Sequence, residues 1–176
     1  MTLRSPAKSP NPWTIRHAQA NERLAIEAHL TETWIATYAG LVGRAPVEDL
    51  LSDMRRADDL VAFLCVADAE LLVGVNAAGA ICGTVAVGMS SHKSFLTVMY
   101  VRPADQGRGL GRALIEAALE ATPPDRPVVL SVLDIRPEVI AFYARFGFAP
   151  RGKSTYQLGS VVCDTIEMVR PAEVSR

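Results

Sequence analysis

A glycine-rich segment near the middle of the chain constrains the fold more than any other feature. Residues 95–101, FLTVMYV, are typical of a strand, and Pro103 ends it. Three glycines follow at alternate positions: Gly107, Gly109 and Gly111. Apolar residues then recur with the spacing of a helix over 109–121. The segment therefore predicts a strand, a glycine loop and an amphipathic helix, in that order.

The loop before this helix suits an anion. The first backbone N–H groups of a helix lack partners within it, and the helix dipole favours negative charge there by ~0.3–1 kcal/mol. Glycine lets a phosphate approach the backbone without a Cβ in the way. Three arginines add positive charge: Arg102, Arg108 and Arg112. The pattern is compatible both with an anion-binding loop and with a plain tight turn between strand and helix.

The glycine spacing separates the kinds of phosphate ligand. A nucleotide P-loop needs Lys followed by Ser or Thr, which is absent from this loop. A dinucleotide fingerprint counted from Gly107 needs its third glycine where Arg112 stands. Asp134 does follow at about the distance of a ribose-binding acid, roughly 20 residues further on. A dinucleotide-dependent oxidoreductase therefore stays open as a weaker alternative.

The rest of the chain predicts a mixed α/β sheet with helices on both faces. A strand at 13–17 opens the fold, and residues 71–89 form a hairpin that turns at 76–79. The path from strand 95–101 through the amphipathic helix to a strand at 128–133 is a right-handed crossover between parallel strands. Further elements are expected at 21–29 (a helix capped by Asn21), 31–39 (a helix stopped by Gly40), 46–56, 58–67 and 137–146 (helices), and 153–169 (two strands around Gly159).

The length of 176 residues predicts one domain. We expect this domain over residues 13–170, after a flexible leader at 1–12 that is rich in Pro and Ser. Residues 171–176 then form a short tail.

Composition narrows the classes of partner and site. Lys plus Arg number 18 and Asp plus Glu number 19, so the chain lacks a basic footprint for nucleic acid or an anionic membrane. No apolar run reaches the ~18–20 residues that span a bilayer. Cys65, Cys82 and Cys163 lie far apart without a CxxC pair, which disfavours a disulfide framework and a zinc site. We expect a cytoplasmic protein with no metal, no nucleic acid and no membrane among its partners.

The string VRPADQGRGLGRAL resembles the acetyl-coenzyme A signature of the GNAT acetyltransferase superfamily, Q/R-x-x-G-x-G/A after a V-x-P strand end. The matching residues are Val101, Pro103, Gln106, Gly107, Gly109 and Gly111. The resemblance implies a single GNAT-like α/β domain, whose mostly antiparallel sheet contains one splayed parallel pair. It also implies acetyl-coenzyme A as cosubstrate, with backbone N–H groups of 106–112 around the pyrophosphate and strand atoms along the pantetheine arm. The implied coenzyme-binding residues are Met99, Val101, Gln106, Gly107, Arg108, Gly109, Leu110, Gly111, Arg112 and Arg136.

A second string, IRPEVIAFYARFGFAP, is similar to the later motif of the same superfamily, Asn-x-x-Ala-x-x-Phe-Tyr-x-x-x-Gly-Phe. The matching residues are Phe142, Tyr143, Gly147 and Phe148, and Arg136 and Val139 stand in place of the Asn and the Ala. Arg136 contacts a coenzyme phosphate or points to water. The resemblance implies that Tyr143 is the catalytic acid that protonates the departing thiolate, and a core tyrosine is the alternative. The closing strand also matches, at Asp164, Ile166 and Met168.

The acceptor side is less well defined by the sequence. The strand SFLTVMY offers no carboxylate as a general base, which leaves Glu32, His92 or a water chain. Trp34 and Tyr38 lie four residues apart on one helix face and, with Leu41, form either an acceptor wall or ordinary core.

We therefore predict an N-acetyltransferase whose acceptor amine attacks the thioester directly in a ternary complex. The acceptor is a primary amine of a small molecule or a peptide N-terminus, and the resemblance is also compatible with a homodimer. A non-catalytic module that binds or senses acyl-coenzyme A is the alternative from another functional class.

Overall fold

A single sheet with helices on each side organises the chain, and the computed structural model describes residues 12–56, 69–158 and 161–173. The described strands are β1 (Thr14–His17), β2 (Glu70–Val75), β3 (Ile81–Met89), β4 (Ser94–Val101), β5 (Val128–Leu133), β6 (Ala149–Leu158) and β7 (Val161–Arg170). The described helices are α1 (Arg23–Val42), α2 (Arg44–Arg56), α3 (Leu110–Glu120) and α4 (Pro137–Ala144), with 3-10 turns at Ala20–Glu22 and Pro103–Asp105. The predicted leader up to residue 11, the helix at 58–67, Cys65, the turn at Gly159 and the end of the tail lie outside the described residues.

The seven described strands are ordered β1-β2-β3-β4-β5-β7-β6. Neighbours are antiparallel except β4 and β5, which are parallel. This confirms the predicted mixed sheet, with its hairpin at β2–β3 and its crossover through α3. The hairpin turn is held by Asn76, whose Oδ1 accepts hydrogen bonds from the backbone N–H groups of Ala78 and Ala80, both at 3.0 Å.

Two hydrophobic clusters lie on opposite faces of the sheet. Apolar residues of α3, such as Leu110 and Leu114, pack with β5 and with Tyr143 of α4 on the first face. Leu30 and Trp34 of α1 pack with α2 and β2 on the second. The predicted placement of helices on both faces is therefore confirmed, and the sheet separates two environments.

The predicted break between two early helices was wrong, because α1 continues from Arg23 to Val42. Thr31 does not start a second helix, since its hydroxyl donates to the carbonyl of Glu27, 2.7 Å away, within the same helix. A threonine that bonds back to the preceding turn satisfies its hydroxyl without interrupting the helix. The helix ends at Gly43, whose N–H donates to Ala39 O at 3.0 Å, and the predicted stop at Gly40 lies inside it.

Candidate active site at the β4–β5 gap

The parallel strands β4 and β5 separate soon after they meet. They pair at two positions, Ser94 with Val128 and Phe95 with Val129. Beyond these pairs β4 carries one extra residue relative to β3, a bulge that bends a strand and increases its twist. Val98 in this bulge has φ +53°, and the hydroxyl of Thr84 donates to its carbonyl at 2.9 Å. The bulge therefore turns the end of β4 away from β5 and leaves a gap in the sheet.

A cavity of about 730 Å³ passes along this gap. On the α3–α4 face its wall contains Met99, Val101 and Tyr143. On the α1 face its wall contains Trp34 and Tyr100. Two molecules that approach the sheet from opposite faces would meet in this cavity.

Tyr143 lies at the gap on the α3–α4 face. It is buried, and its hydroxyl donates to Met99 Sδ at 3.3 Å. Its ring contacts those of Phe142 and Phe148 at centroid distances of 5.1 and 5.8 Å. Burial raises the pKa of Tyr143 above its ordinary value, so the phenol stays protonated at neutral pH. The side chain therefore has the environment of a core residue and a hydroxyl that reaches the cavity wall.

The glycine loop leads from β4 into α3. Gly107 and Gly109 have φ +71° and +95°, and a Cβ at either position would meet no atom within 4 Å. Gly109 is the residue before α3, and no side chain caps that helix start. Gln106 ties the loop to the strand, since its Nε2 donates to Val101 O at 3.0 Å. The loop therefore exposes backbone N–H groups to open space beside the gap.

The remaining coenzyme-binding predictions fall into two groups. Met99, Val101, Gln106 and Arg136 line the cavity, whereas residues 107–112 lie outside its wall. The side chain of Leu110 is buried in the core under β2 and β3, so that only its backbone faces the loop.

The arginines of the loop form ion pairs with carboxylates, and these pairs were not predicted from the sequence. Asp105 is buried and lies 2.7 Å from Arg102 and 3.4 Å from Arg108. Burial raises the pKa of Asp105, but hydrogen bonds from Arg102 and Cys82 and the positive charges of Arg102 and Arg108 together outweigh this and leave the pKa below its usual value. Arg112 Nε lies 2.7 Å from Glu116 Oε1. Spacings of three and four residues on or beside a helix could have revealed these pairs.

Two further charged predictions are also paired. Arg136 bonds to Glu138 while lining the cavity. Asp134, the candidate ribose ligand, lies 2.8 Å from Lys153 Nζ.

Of the three residues predicted for the acceptor wall, two line the cavity and one does not. Trp34 and Tyr38 line the cavity, and the Tyr38 hydroxyl lies 3.0 Å from that of Tyr100. Burial raises the pKa of both tyrosines. Leu41 is exposed and does not line the cavity.

Neither candidate base reaches the cavity. Glu32 and His92 are both exposed and absent from its wall. Sequence reasoning also missed Glu167, a carboxylate of β7 that does line the cavity. Its signal was the alternation in the closing strand, which places Glu167 on the face opposite Ile166 and Met168.

Cys82 and Cys163 are both free thiols, the first buried and the second half-buried. Across the described ranges no three His, Cys, Asp or Glu side chains are grouped to hold a metal ion. No helix in these ranges has the length and apolar character to cross a bilayer.

The comparisons with known proteins agree with this geometry. A family model described as an acetyltransferase (GNAT) domain matches residues 62–150. A search of curated proteins finds no match to the chain. Among solved structures, a PaiA N-acetyltransferase from Thermoplasma acidophilum in complex with coenzyme A superposes with a TM-score of 0.73 at 17% identity, covering 90% of this chain and 98% of that one.

Two other structures show the same fold. YncA from Salmonella typhimurium, solved with its cofactor acetyl-coenzyme A, has a TM-score of 0.65 at 20% identity, over 93% of this chain and 96% of its own. The ribosomal-protein-S18-alanine N-acetyltransferase from Escherichia coli has a TM-score of 0.66 at 16% identity, over 93% and 96%.

Proposed function

The chain belongs to the GNAT acetyltransferase family, and we propose that it transfers an acetyl group from acetyl-coenzyme A to a primary amine of a small molecule or peptide N-terminus. The observation that carries this proposal is the cavity through the β4–β5 gap, with the Tyr143 hydroxyl on one face and an aromatic wall on the other. Direct attack in a ternary complex needs such a passage, because two substrates must meet without exchanging places. The neighbours solved with coenzyme A or acetyl-coenzyme A support the choice of cosubstrate.

The loop at 106–112 fits the pyrophosphate of this cosubstrate. The uncapped start of α3 and the open space beside Gly107 and Gly109 leave backbone N–H groups for phosphate oxygens. Arg102, Arg108 and Arg112 add a positive field that their carboxylate partners partly neutralise. Backbone N–H groups would therefore supply most of the hydrogen bonds to the phosphates.

The edge of β4 at Val101 fits the pantetheine arm and the thioester carbonyl. The N–H of Arg102 donates to Cys82 O on β3 at 2.8 Å. Successive peptide groups of a strand point to opposite edges, so the N–H of Val101 points to the gap. Acetyl-coenzyme A supplies the acetyl group as a thioester, and a donor at Val101 would stabilise negative charge that develops on its carbonyl oxygen.

Tyr143 supplies the proton that the leaving thiolate needs. Its raised pKa keeps the phenol protonated at neutral pH, so a proton is available when the C–S bond breaks, and water returns that proton to Tyr143 before the next turnover. The amine loses its own proton to water, because Glu32 and His92 lie outside the cavity and β4 carries no carboxylate. Glu167 does line the cavity, but β5 lies between its strand and β4. Only the uncharged amine attacks, so the rate should rise with pH until the amine is deprotonated.

The test is the release of coenzyme A thiol from acetyl-coenzyme A over a panel of primary amines, with the acetylated product identified by mass. Calorimetry with acetyl-coenzyme A and with NAD(P) accompanies the assay. Turnover with at least one amine supports the proposal. Tight binding of acetyl-coenzyme A without turnover of any amine would instead identify a sensing module.

A further inference from the structure

Glu167 occupies a position that the proposed chemistry does not use. It lies on β7 opposite Ser131 of β5, and both residues line the cavity. Its neighbours Ile166 and Met168 pack into the hydrophobic cluster on the α3–α4 face. Because side chains alternate along a strand, Glu167 faces the α1 side of the sheet, as does the buried Thr165. The carboxylate thus belongs to the acceptor half of the cavity.

The carboxylate of Glu167 has no partner within the described part of the chain. It makes neither a hydrogen bond nor an ion pair there, although the residue is half-buried. It is also the one carboxylate in the described wall of the cavity. Two cations share that wall, but Arg136 is bonded to Glu138, and Lys93 Nζ lies 4.8 Å from the Phe95 ring centroid. Because a partly desolvated, unpaired charge is unfavourable, the site favours a cationic ligand group.

The sheet order separates this carboxylate from the reacting amine. Two strand spacings, about 10 Å at the backbone, lie between β4 and β7 where β4 and β5 are paired, and the separation is larger beyond Phe95, where β4 turns away. The amine that attacks must lie beside β4, where the N–H of Val101 faces the gap. Glu167 is therefore placed to bind a second cationic group of the same acceptor molecule.

The wall on the α1 side suits the rest of such a molecule. Trp34 contacts Tyr38 and Tyr100 at ring-centroid distances of 5.4 and 6.1 Å. All three rings line the cavity. Aromatic surface packs against methylene groups and attracts ammonium groups. An aliphatic chain that ends in an ammonium group would find favourable contacts along this wall.

We infer that the acceptor is an aliphatic molecule with two amino groups, and that Glu167 binds the ammonium group that is not acetylated. The inference rests on the proposed function, since it assigns the acceptor of the same cavity. It makes Glu167 a specificity-determining residue, because a monoamine of equal length would reach β4 without using it.

The experiment compares matched acceptors: putrescine with n-butylamine, and cadaverine with n-pentylamine. Wild-type kcat/KM should favour each diamine over its monoamine by about tenfold or more, the worth of one charge-assisted hydrogen bond. Glu167→Gln should remove most of this preference through KM for the diamine, and leave the monoamine and acetyl-coenzyme A constants within about twofold. Asp164→Asn is the control, because Asp164 is an exposed carboxylate of the same strand outside the cavity wall.

Two results would overturn the inference: equal efficiency with diamines and monoamines, or an equal loss for both in Glu167→Gln. Calorimetry of putrescine with the coenzyme A-loaded protein separates this from failure of the proposed function. If no amine is acetylated, the proposed function fails, yet putrescine affinity in wild type and in Glu167→Gln still tests the role of Glu167. Equal affinity in the two proteins would contradict it.

Discussion

The two halves of the cavity are built in different ways. The half that is proposed to bind the coenzyme, the coenzyme half, comes from one continuous stretch of chain, from β4 through the glycine loop, α3 and β5 to α4. The half that is proposed to bind the acceptor, the acceptor half, combines α1 near the start of the fold and β7 near its end with Tyr100 of β4. The first half is therefore set by local turns and backbone atoms, and the second by side chains that only the sheet order brings together.

The first half holds the groups that are proposed to carry out the reaction, and the second holds the side chains that are proposed to select the acceptor. Backbone N–H groups and one phenol need only the strand–loop–helix geometry. The acceptor wall depends on which side chains α1 and β7 present, and these can change without altering that geometry. Variants that change one half of the cavity and leave the other half intact test this separation.

Tyr143→Phe should have the largest effect. Phe keeps the ring contacts to Phe142 and Phe148 and removes only the hydroxyl at the gap. We expect kcat to fall by about 10², near the lower end for general acid catalysis, because a thiolate is a tolerable leaving group without assistance. Steady-state kinetics should show little change in KM for acetyl-coenzyme A. A wild-type kcat would assign Tyr143 to the core and leave the proton to water.

The two halves also differ in how well the sequence predicts them. Gly107 and Gly109 stand at motif spacing in one short string, so local sequence was enough to predict the loop. A second local string made Tyr143 the candidate acid, and that role stays a prediction. Glu167 was passed over, because its neighbours Ile166 and Met168 match a structural strand. The side of the sheet that Glu167 faces could be related to the cavity only once β7 was known to lie between β5 and β6.

The same limit on prediction from local sequence applies to the secondary structure. The hairpin and the crossover were predictable, since turn residues and hydrophobic periodicity are local. The continuity of α1 through Thr31 was not, because a hydroxyl that bonds back to Glu27 and one that caps a new helix look alike in sequence.

Mild acid should destabilise the α1 side of the molecule. His29 is buried on α1, and neither ring nitrogen has a hydrogen-bond partner of adequate geometry among the described residues. Burial lowers the pKa of His29 from 6.5 to about 4, although the nearby Tyr100 backbone opposes this in part. The folded state therefore favours neutral histidine, and its advantage is complete above pH 6.5 and lost as pH falls towards 4.

Between pH 7 and pH 5 this linkage should cost about 2 kcal/mol of unfolding free energy, roughly a 30-fold change in the equilibrium constant. Urea unfolding at the two pH values measures it. His29→Leu should show a shallower pH dependence, whereas His92→Leu, at an exposed histidine, should keep the wild-type slope. Equal slopes in all three proteins would contradict a buried neutral His29.

Gly109→Val should weaken the coenzyme half alone. Gly109 has φ +95°, and a branched side chain would extend into the open space where the pyrophosphate is proposed to bind. Gly43→Val is a matched control, because Gly43 has φ +86°, a Cβ there would meet only Pro46 Cδ at an ordinary contact of 3.7 Å, and Gly43 lies at the end of α1 outside the cavity wall. Both variants should lose about 1–2 kcal/mol of stability to backbone strain.

Only Gly109→Val should raise the Kd for acetyl-coenzyme A, by about tenfold, equivalent to about 1.4 kcal/mol. Calorimetry measures the affinity and urea unfolding measures the strain. If both variants bound acetyl-coenzyme A as tightly as wild type, the loop would be a plain turn.

Tyr38→Phe should have the smallest effect and should fall on the acceptor half alone. The Tyr38 and Tyr100 hydroxyls lie 3.0 Å apart in the cavity wall, so the variant removes one neutral hydrogen bond and keeps the ring against Trp34. Loss of a bond worth about 1 kcal/mol predicts a rise of about fivefold in KM for the acceptor, through a less well fixed wall. The constants for acetyl-coenzyme A should not change.

Pairing Tyr38→Phe with Tyr100→Phe decides whether the hydroxyls act together. Each single variant leaves the other hydroxyl without its partner, so the double variant should be no worse than either single one. Additive losses would mean that each hydroxyl contacts the acceptor separately. A fall in kcat like that of Tyr143→Phe would mean that the two hydroxyls take part in the chemical step. That result would contradict the division of the cavity into two independent halves. Because Tyr38 and Tyr143 are both tyrosines of one cavity wall, the contrast between their phenylalanine variants tests that division with the least change to packing.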